Sequence, residues 1–105
     1  MSYRVLFHPD VKRDLAAIVQ IVTGYAGPRA AATRLSEIEA VVSGLADIPH
    51  KGSIRSDIAR GLRAIPAGRK TVIAFSVDEK SKTVLVHAIG FAGSDWIASI
   101  SSRGQ

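Results

Sequence analysis

Tyr3, Val5 and Phe7 alternate with Arg4, Leu6 and His8, and this period of two predicts an opening strand. Pro9 then suits the first turn of a helix, where its missing N–H leaves no donor unpaired. Asp10 in the same turn suits the positive end of the helix dipole. Val11, Leu15, Ile18 and Val22 follow at helical spacing as one apolar stripe, which Gly24 stops. Gly24-Tyr25-Ala26-Gly27 reads as a short connection. Pro28 opens a second helix, whose stripe of Ala31, Leu35, Ile38, Val42 and Leu45 ends at Pro49. Two amphipathic helices on so short a link should lie antiparallel, each needing an apolar surface to cover.

The second half supplies that surface. Leu62 to Ile65 reads as a short strand that Pro66 either ends or pushes to an edge, followed by a turn at Ala67-Gly68-Arg69. Thr71 to Val77 and Thr83 to Ile89 are strands joined by the charged loop 78–82. Both are apolar on both faces, so they should be central or covered on both sides. Ser94 is placed to cap a short final helix reaching Ile100, and Ser101 to Gln105 is expected to fray. The predicted order is β-α-α-β-β-β: an α+β fold with a helical hairpin on a small, mostly antiparallel sheet. Leu15, Ile18, Leu35, Ile38, Phe75 and Val86 should be buried together.

Composition narrows the class. A chain of 105 residues is one domain's worth, here read as a single domain over 1–105, since domains cluster around roughly 100–150 residues. Hydrophobic residues at 47% exclude disorder as the main state, and aromatics at 6% leave the core to Val, Ile, Leu and Ala. With no cysteine, disulfides, zinc–thiolate sites and thiol nucleophiles are excluded. The apolar run Ala16 to Val22 is broken by Gln20 and too short for a membrane span, and no leader opens the chain, so a cytoplasmic location is expected.

Charge is more informative. The segment Lys51 to Lys70 holds six of the 14 basic residues and one of the nine acidic ones, so the whole net charge of +5 sits there. Such a run is either a solvated loop or a contact for a polyanion, nucleic acid or acidic protein. Enzyme motifs are missing. His8, His50 and His87 show no metal spacing, and His87 in an apolar strand reads as a hydrogen-bonded core residue. Asp10 and Asp14 share a helix face with Lys12 and Arg13 nearby, which reads as solvated surface. No serine after Phe91 lies in a nucleophile elbow. Neither metal nor cofactor is called for.

These residues, taken in order, resemble the RelE/ParE superfamily of bacterial type II toxins. The likeness runs from Tyr3-Arg4-Val5-Leu6-Phe7-His8-Pro9-Asp10, with Asp14-Leu15 and Ile18, through Leu45-x-x-x-Pro49-x-x-Gly52. It continues at Asp57-Ile58-x-x-Gly61-Leu62-Arg63 and at the strand Val72 to Val77, and ends at Ile89-Gly90-x-x-x-x-Asp95-Trp96. The resemblance implies a cognate antitoxin, with which the toxin forms a hetero-oligomer; Val19, Ile21 and Val41, off the main stripes, would leave it an apolar patch. It also implies one of two targets. RelE-like members cut mRNA on the ribosome, a role Lys51, Arg55 and Arg63 would fill here. Their pattern also wants an arginine after the last strand, where Gly90, Phe91 and Ala92 are not basic, and an aromatic or His near the C-terminus, where Ser101-Ser102-Arg103 offers no Tyr or His. ParE-like members inhibit DNA gyrase without a known catalytic set, and the target contacts would then be Arg60, Arg63, Arg69, Phe91, Asp95 and Trp96. The gyrase reading is preferred; an inactive relative that binds only its antitoxin is the third. For Arg63 the competing structural role is an ion pair with Asp57.

Overall fold

Strand β5 (Thr83–Phe91) is the axis of the computed structural model, which describes residues 2–91 and 94–103. On one side it pairs in parallel with β1 (Arg4–Phe7), and on the other antiparallel with β4 (Thr71–Asp78). β3 (Arg63–Pro66) and the two-residue β2 (Ser53–Ile54) complete a sheet of order β1-β5-β4-β3-β2. Helices α1 (Val11–Ala26) and α2 (Pro28–Asp47) form the antiparallel hairpin, and α3 (Trp96–Ser102) follows the sheet. The expected order holds, with β2 added inside the segment read as a connection. α1 also runs through Gly24 and stops only at Gly27.

The two apolar faces of β4 and β5 have separate covers. Ile73, Phe75, Val84, Val86 and Ile89 pack under the hairpin with Ile18, Val22, Ile38 and Leu45. Ala74 and Ala88 lie on the reverse face beneath Leu62 and Ile100. Small side chains there let α3 approach closely. Gly90 shows the limit: a Cβ at that position would stand 2.6 Å from the Trp96 Cβ, so the indole rests directly on the strand backbone. Asp95, not Ser94, caps α3, accepting from the Ala98 N–H at 3.2 Å. The Ser94 hydroxyl instead accepts from the Phe91 N–H, closing the turn before the helix.

The expected buried set holds for Ile18, Ile38, Phe75 and Val86. Leu15 and Leu35 are only half-buried. The cause is the shortness of β1, which pairs with β5 only from Thr83 to Val86. Beyond Phe7 the hairpin overhangs an unfilled edge.

That edge creates a need which polar groups meet. Ala74 stands opposite Ala88 but Phe75 opposite Val86, so His87 is an extra residue, a β-bulge. Arg103 Nη1 donates to the bulge carbonyl, His87 O, at 2.8 Å, and to Asp14 Oδ2 at 2.8 Å. Arg103 Nη2 donates to Asp14 Oδ1 at 2.7 Å. Asp14 Oδ2 also accepts from the Ile89 N–H, which no strand covers, at 3.0 Å. Asp14 is therefore not solvated surface, and through Arg103 the tail does not fray; Gly104 and Gln105 lie outside the described residues. The expectation failed because 89 positions separate the partners.

With side-chain exposures of 9% and 15%, this ion pair is close to buried, and removing one partner leaves the other without its two-pronged opposite charge. Arg103→Ala or Asp14→Ala should cost about 3 kcal/mol. At this chain length that lowers Tm by roughly 10–20 °C. A double-mutant cycle in thermal denaturation checks it: the double variant should lose little more than either single one, and simple additivity would rule the clasp out.

Candidate functional site

Folding disperses the basic segment. Arg55 turns back on its own loop, its Nε and Nη2 donating to Asp57 Oδ1 and Oδ2 at 3.1 and 3.0 Å. That fork holds the Asp57 carboxyl below its ordinary pKa. Arg63 stands opposite Phe75 and thus rises from the hairpin face of the sheet, where its Nη1 donates to the Lys51 carbonyl at 3.2 Å. It does not meet Asp57; the nearer Arg55 has taken that carboxylate. The Lys51 ammonium lies against Gly44 of α2. Arg60 projects on the opposite face, and Arg69 belongs to the far end, beside Arg29 and Arg34. The structure brings Lys51 and Arg63 together and separates Arg60 and Arg69 from them and from each other.

The C-terminal candidates serve the fold. Phe91 is 7% exposed inside the hairpin core, so it presents no surface to a target. Trp96 covers Gly90 and Asp95 caps α3. Ala92 lies outside the described residues. Val19 and Val41 pack half-buried against the core, while Ile21 is exposed beside Trp96 and Ser99, so the three share no single patch.

Two concave features lie beside these candidates. The first, about 400 Å³, lies on the α3 face, with Leu62, Ile58 and Ile100 as apolar walls and Arg60 at its rim. Its floor is a hydrogen bond of 2.7 Å between Ser76 Oγ and His87 Nε2, on adjacent strands. The bulge aims His87 at this floor. Burial, and secondarily the nearby His8, pushes the His87 pKa below its ordinary value, so the ring is neutral near pH 7. No carboxylate is bonded to the ring among the described residues, so the pair lacks the orienting third member of a serine triad. It can accept or donate a hydrogen bond; it is not built as a nucleophile.

The second feature is an apolar groove of about 470 Å³ where the hairpin overhangs β1, lined by Phe7, Leu15, Leu35, Ile38, Val42 and Ile89. Leu6 and Phe7 on the adjoining strand are 43% and 51% exposed. β1 is also the sheet's edge. The Arg4 and His8 N–H groups point to β5, so by alternation those of Val5 and Phe7 point outward. An apolar trough beside an open strand edge is the geometry that an added strand or an amphipathic helix fits. Its residues were visible in the sequence as strand and stripe positions, but their exposure follows from the length of β1, which periodicity does not give.

A family model described as "ParE toxin of type II toxin-antitoxin system, parDE" matches residues 5–96. No curated protein matches. Among solved structures, the chain resembles one from a chromosomal ParDE system of P. aeruginosa. That match has 21% identity and a TM-score of 0.73 over 87% of this chain and 97% of the other. A free E. coli RelE toxin variant aligns over 100% of both chains at 12% identity and TM-score 0.71. A chain of the toxin–antitoxin complex RelBE2 from Mycobacterium tuberculosis aligns at 20% identity and TM-score 0.59, over 87% of this chain and 99% of that one. Among the described residues no helix is long and apolar enough to cross a membrane.

The lowered His87 pKa sets a direction for stability. The unfolded ring titrates near its ordinary value of about 6.5, above the folded one, so the contribution is complete above that pH and drains away as pH falls toward the folded pKa. Between pH 7 and 5 the native chain should lose more Tm than His87→Gln, which keeps a donor for Ser76 and cannot charge. Every other group is common to the two proteins, so parallel curves would show that His87 contributes nothing.

Proposed function

This chain belongs to the ParE toxin family of type II toxin–antitoxin systems, and from that premise we propose that it inhibits DNA gyrase when free and is silenced by a cognate antitoxin. The carrying observation is the engagement of the residues that mRNA cleavage would need. Arg55 is closed on Asp57, and Arg63 holds the Lys51 carbonyl. Cleavage at a ribose 2′-OH wants a base within hydrogen-bond reach of that hydroxyl and cations beside the adjoining phosphate, all on one face. The neutral imidazole of His87 stands on the α3 face, across the sheet from Lys51 and Arg63. A target held by surface contacts asks for no such set. This reading places the protein in the cytoplasm.

For the antitoxin, the groove beside β1 is the better site than the Val19, Ile21 and Val41 patch. An extended segment can pair with the outward N–H groups of Val5 and Phe7 while its apolar side chains fill the trough between Leu35 and Phe7. Acidic residues flanking that segment would suit the net charge of +5.

Two measurements test this. Induced alone, the chain should filament cells, and the purified protein should inhibit supercoiling by gyrase; rapid translational arrest with cut mRNA would overturn the reading, as would an inert chain. Phe7→Ser, at an exposed position, should leave Tm within about 3 °C yet weaken capture by the product of the neighbouring gene roughly tenfold, equivalent to about 1.4 kcal/mol. Unchanged affinity would move the antitoxin elsewhere.

A further inference from the structure

The dispersal of the basic segment leaves one pole of the molecule strongly charged. At the α1–α2 turn, Arg29 and Arg34 meet Arg69 around a shallow depression of about 460 Å³, with Lys70 next in the chain. Glu37 is the one carboxylate there and is taken by Arg34 at 2.7 Å, so the pole carries a net charge of three. The guanidiniums of Arg29 and Arg69 have no side-chain partner among the described residues, and Arg34 Nε is buried without one. The arrangement is held in place. Gly68, at φ 76°, lets the β3–β4 turn press onto α2 so closely that a Cβ there would collide with the Glu37 carboxylate and Arg34 Nη1. Arg69 is thereby fixed over the helix rather than left on a free loop. The opposite pole is different: Glu79 is occupied by Tyr3, His50 and Lys82, and Asp78 accepts from the backbone N–H groups of Lys80 and Ser81.

We propose that this basic pole docks on the phosphate backbone of duplex DNA. The depression is wide and shallow, and Arg29, Arg34 and Arg69 stand around it, which suits a polyanion passing across it and not an enclosed small ligand. Guanidinium forks match phosphate oxygens two at a time, and those of Arg29 and Arg69 are not taken by a carboxylate among the described residues. A duplex presents one charge per about 1.7 Å of its axis, a density that a disordered acidic peptide reaches only after ordering itself. The contrast between the poles orients the molecule as it approaches. The choice of DNA over RNA rests on the gyrase reading; the charge geometry does not.

Fluorescence polarisation with a labelled 20-base-pair DNA duplex and the purified chain tests the proposal without gyrase. Binding should be micromolar near physiological salt, with log K falling against log[KCl] at a slope of about −3. Arg29→Ala with Arg69→Ala should cut affinity at least tenfold and reduce the slope by about two, since each phosphate contact contributes about one. Lys12→Ala with Arg13→Ala, which removes the same charge from the exposed start of α1, should change affinity less than twofold. Equal losses in the two double variants would reduce the effect to net charge and overturn the proposal. So would tighter binding of an RNA duplex, or equal binding of poly-glutamate. Because gyrase is absent, failure here leaves the gyrase reading intact. A chain that binds DNA through this pole but does not inhibit gyrase would overturn that reading instead, and leave the docking surface standing.

Discussion

The clasp between Arg103 and Asp14 holds together parts of the molecule that share no strand pairing. One guanidinium spans α1, the bulge carbonyl of β5 and the residue that follows α3. Without it the bulge leaves a carbonyl unmatched, the Ile89 N–H loses the carboxylate oriented toward it, and α3 rests on Ile100 and Trp96 alone. A buried backbone group without a partner costs free energy comparable to a lost hydrogen bond, so the bulge and the clasp make sense only as a pair. The bulge in turn aims His87 at Ser76, and the floor of the α3-face cavity follows from a polar contact on the other side of the strand.

The same shortness of β1 that exposes the Ile89 N–H also opens the apolar groove. Where the sheet runs out, the backbone is satisfied by a side chain from α1, but the apolar side chains of Leu35 and Phe7 are only partly covered. Polar and apolar needs are thus met separately along one edge. Polar groups there face inward to the clasp, and apolar groups face the groove.

Much of this fold was legible because its signals are local. The alternation from Tyr3 and the stripes through Ile18 and Ile38 are set by nearby residues, and they named the elements and their order. Register was not legible, since the doubly apolar run from Thr83 looks the same with or without an extra residue at His87. Nor was the identity of a charge's partner: Asp57 met Arg55 rather than Arg63, and Asp14 met Arg103, because such choices depend on which chain segments fold back together. The linear run of cations from Lys51 to Lys70 was the most misleading signal. β3 passes through it, and a strand sends neighbouring side chains to opposite faces, so contiguity in sequence became separation in space.

The parallel pairing of β1 with β5 also has a temporal side. Arg4 lies opposite Thr83, so the first strand has no neighbour until synthesis has passed that residue, whereas the helical hairpin needs only residues up to Asp47. At about 5–20 residues per second, synthesis leaves roughly 2–7 s between completion of the hairpin and arrival of the strand that anchors its cover. During that interval the stripes of α1 and α2 have no sheet beneath them. A binding partner already folded in the cell therefore meets a half-made chain at its stickiest, and can seize it before it has a finished surface with which to act.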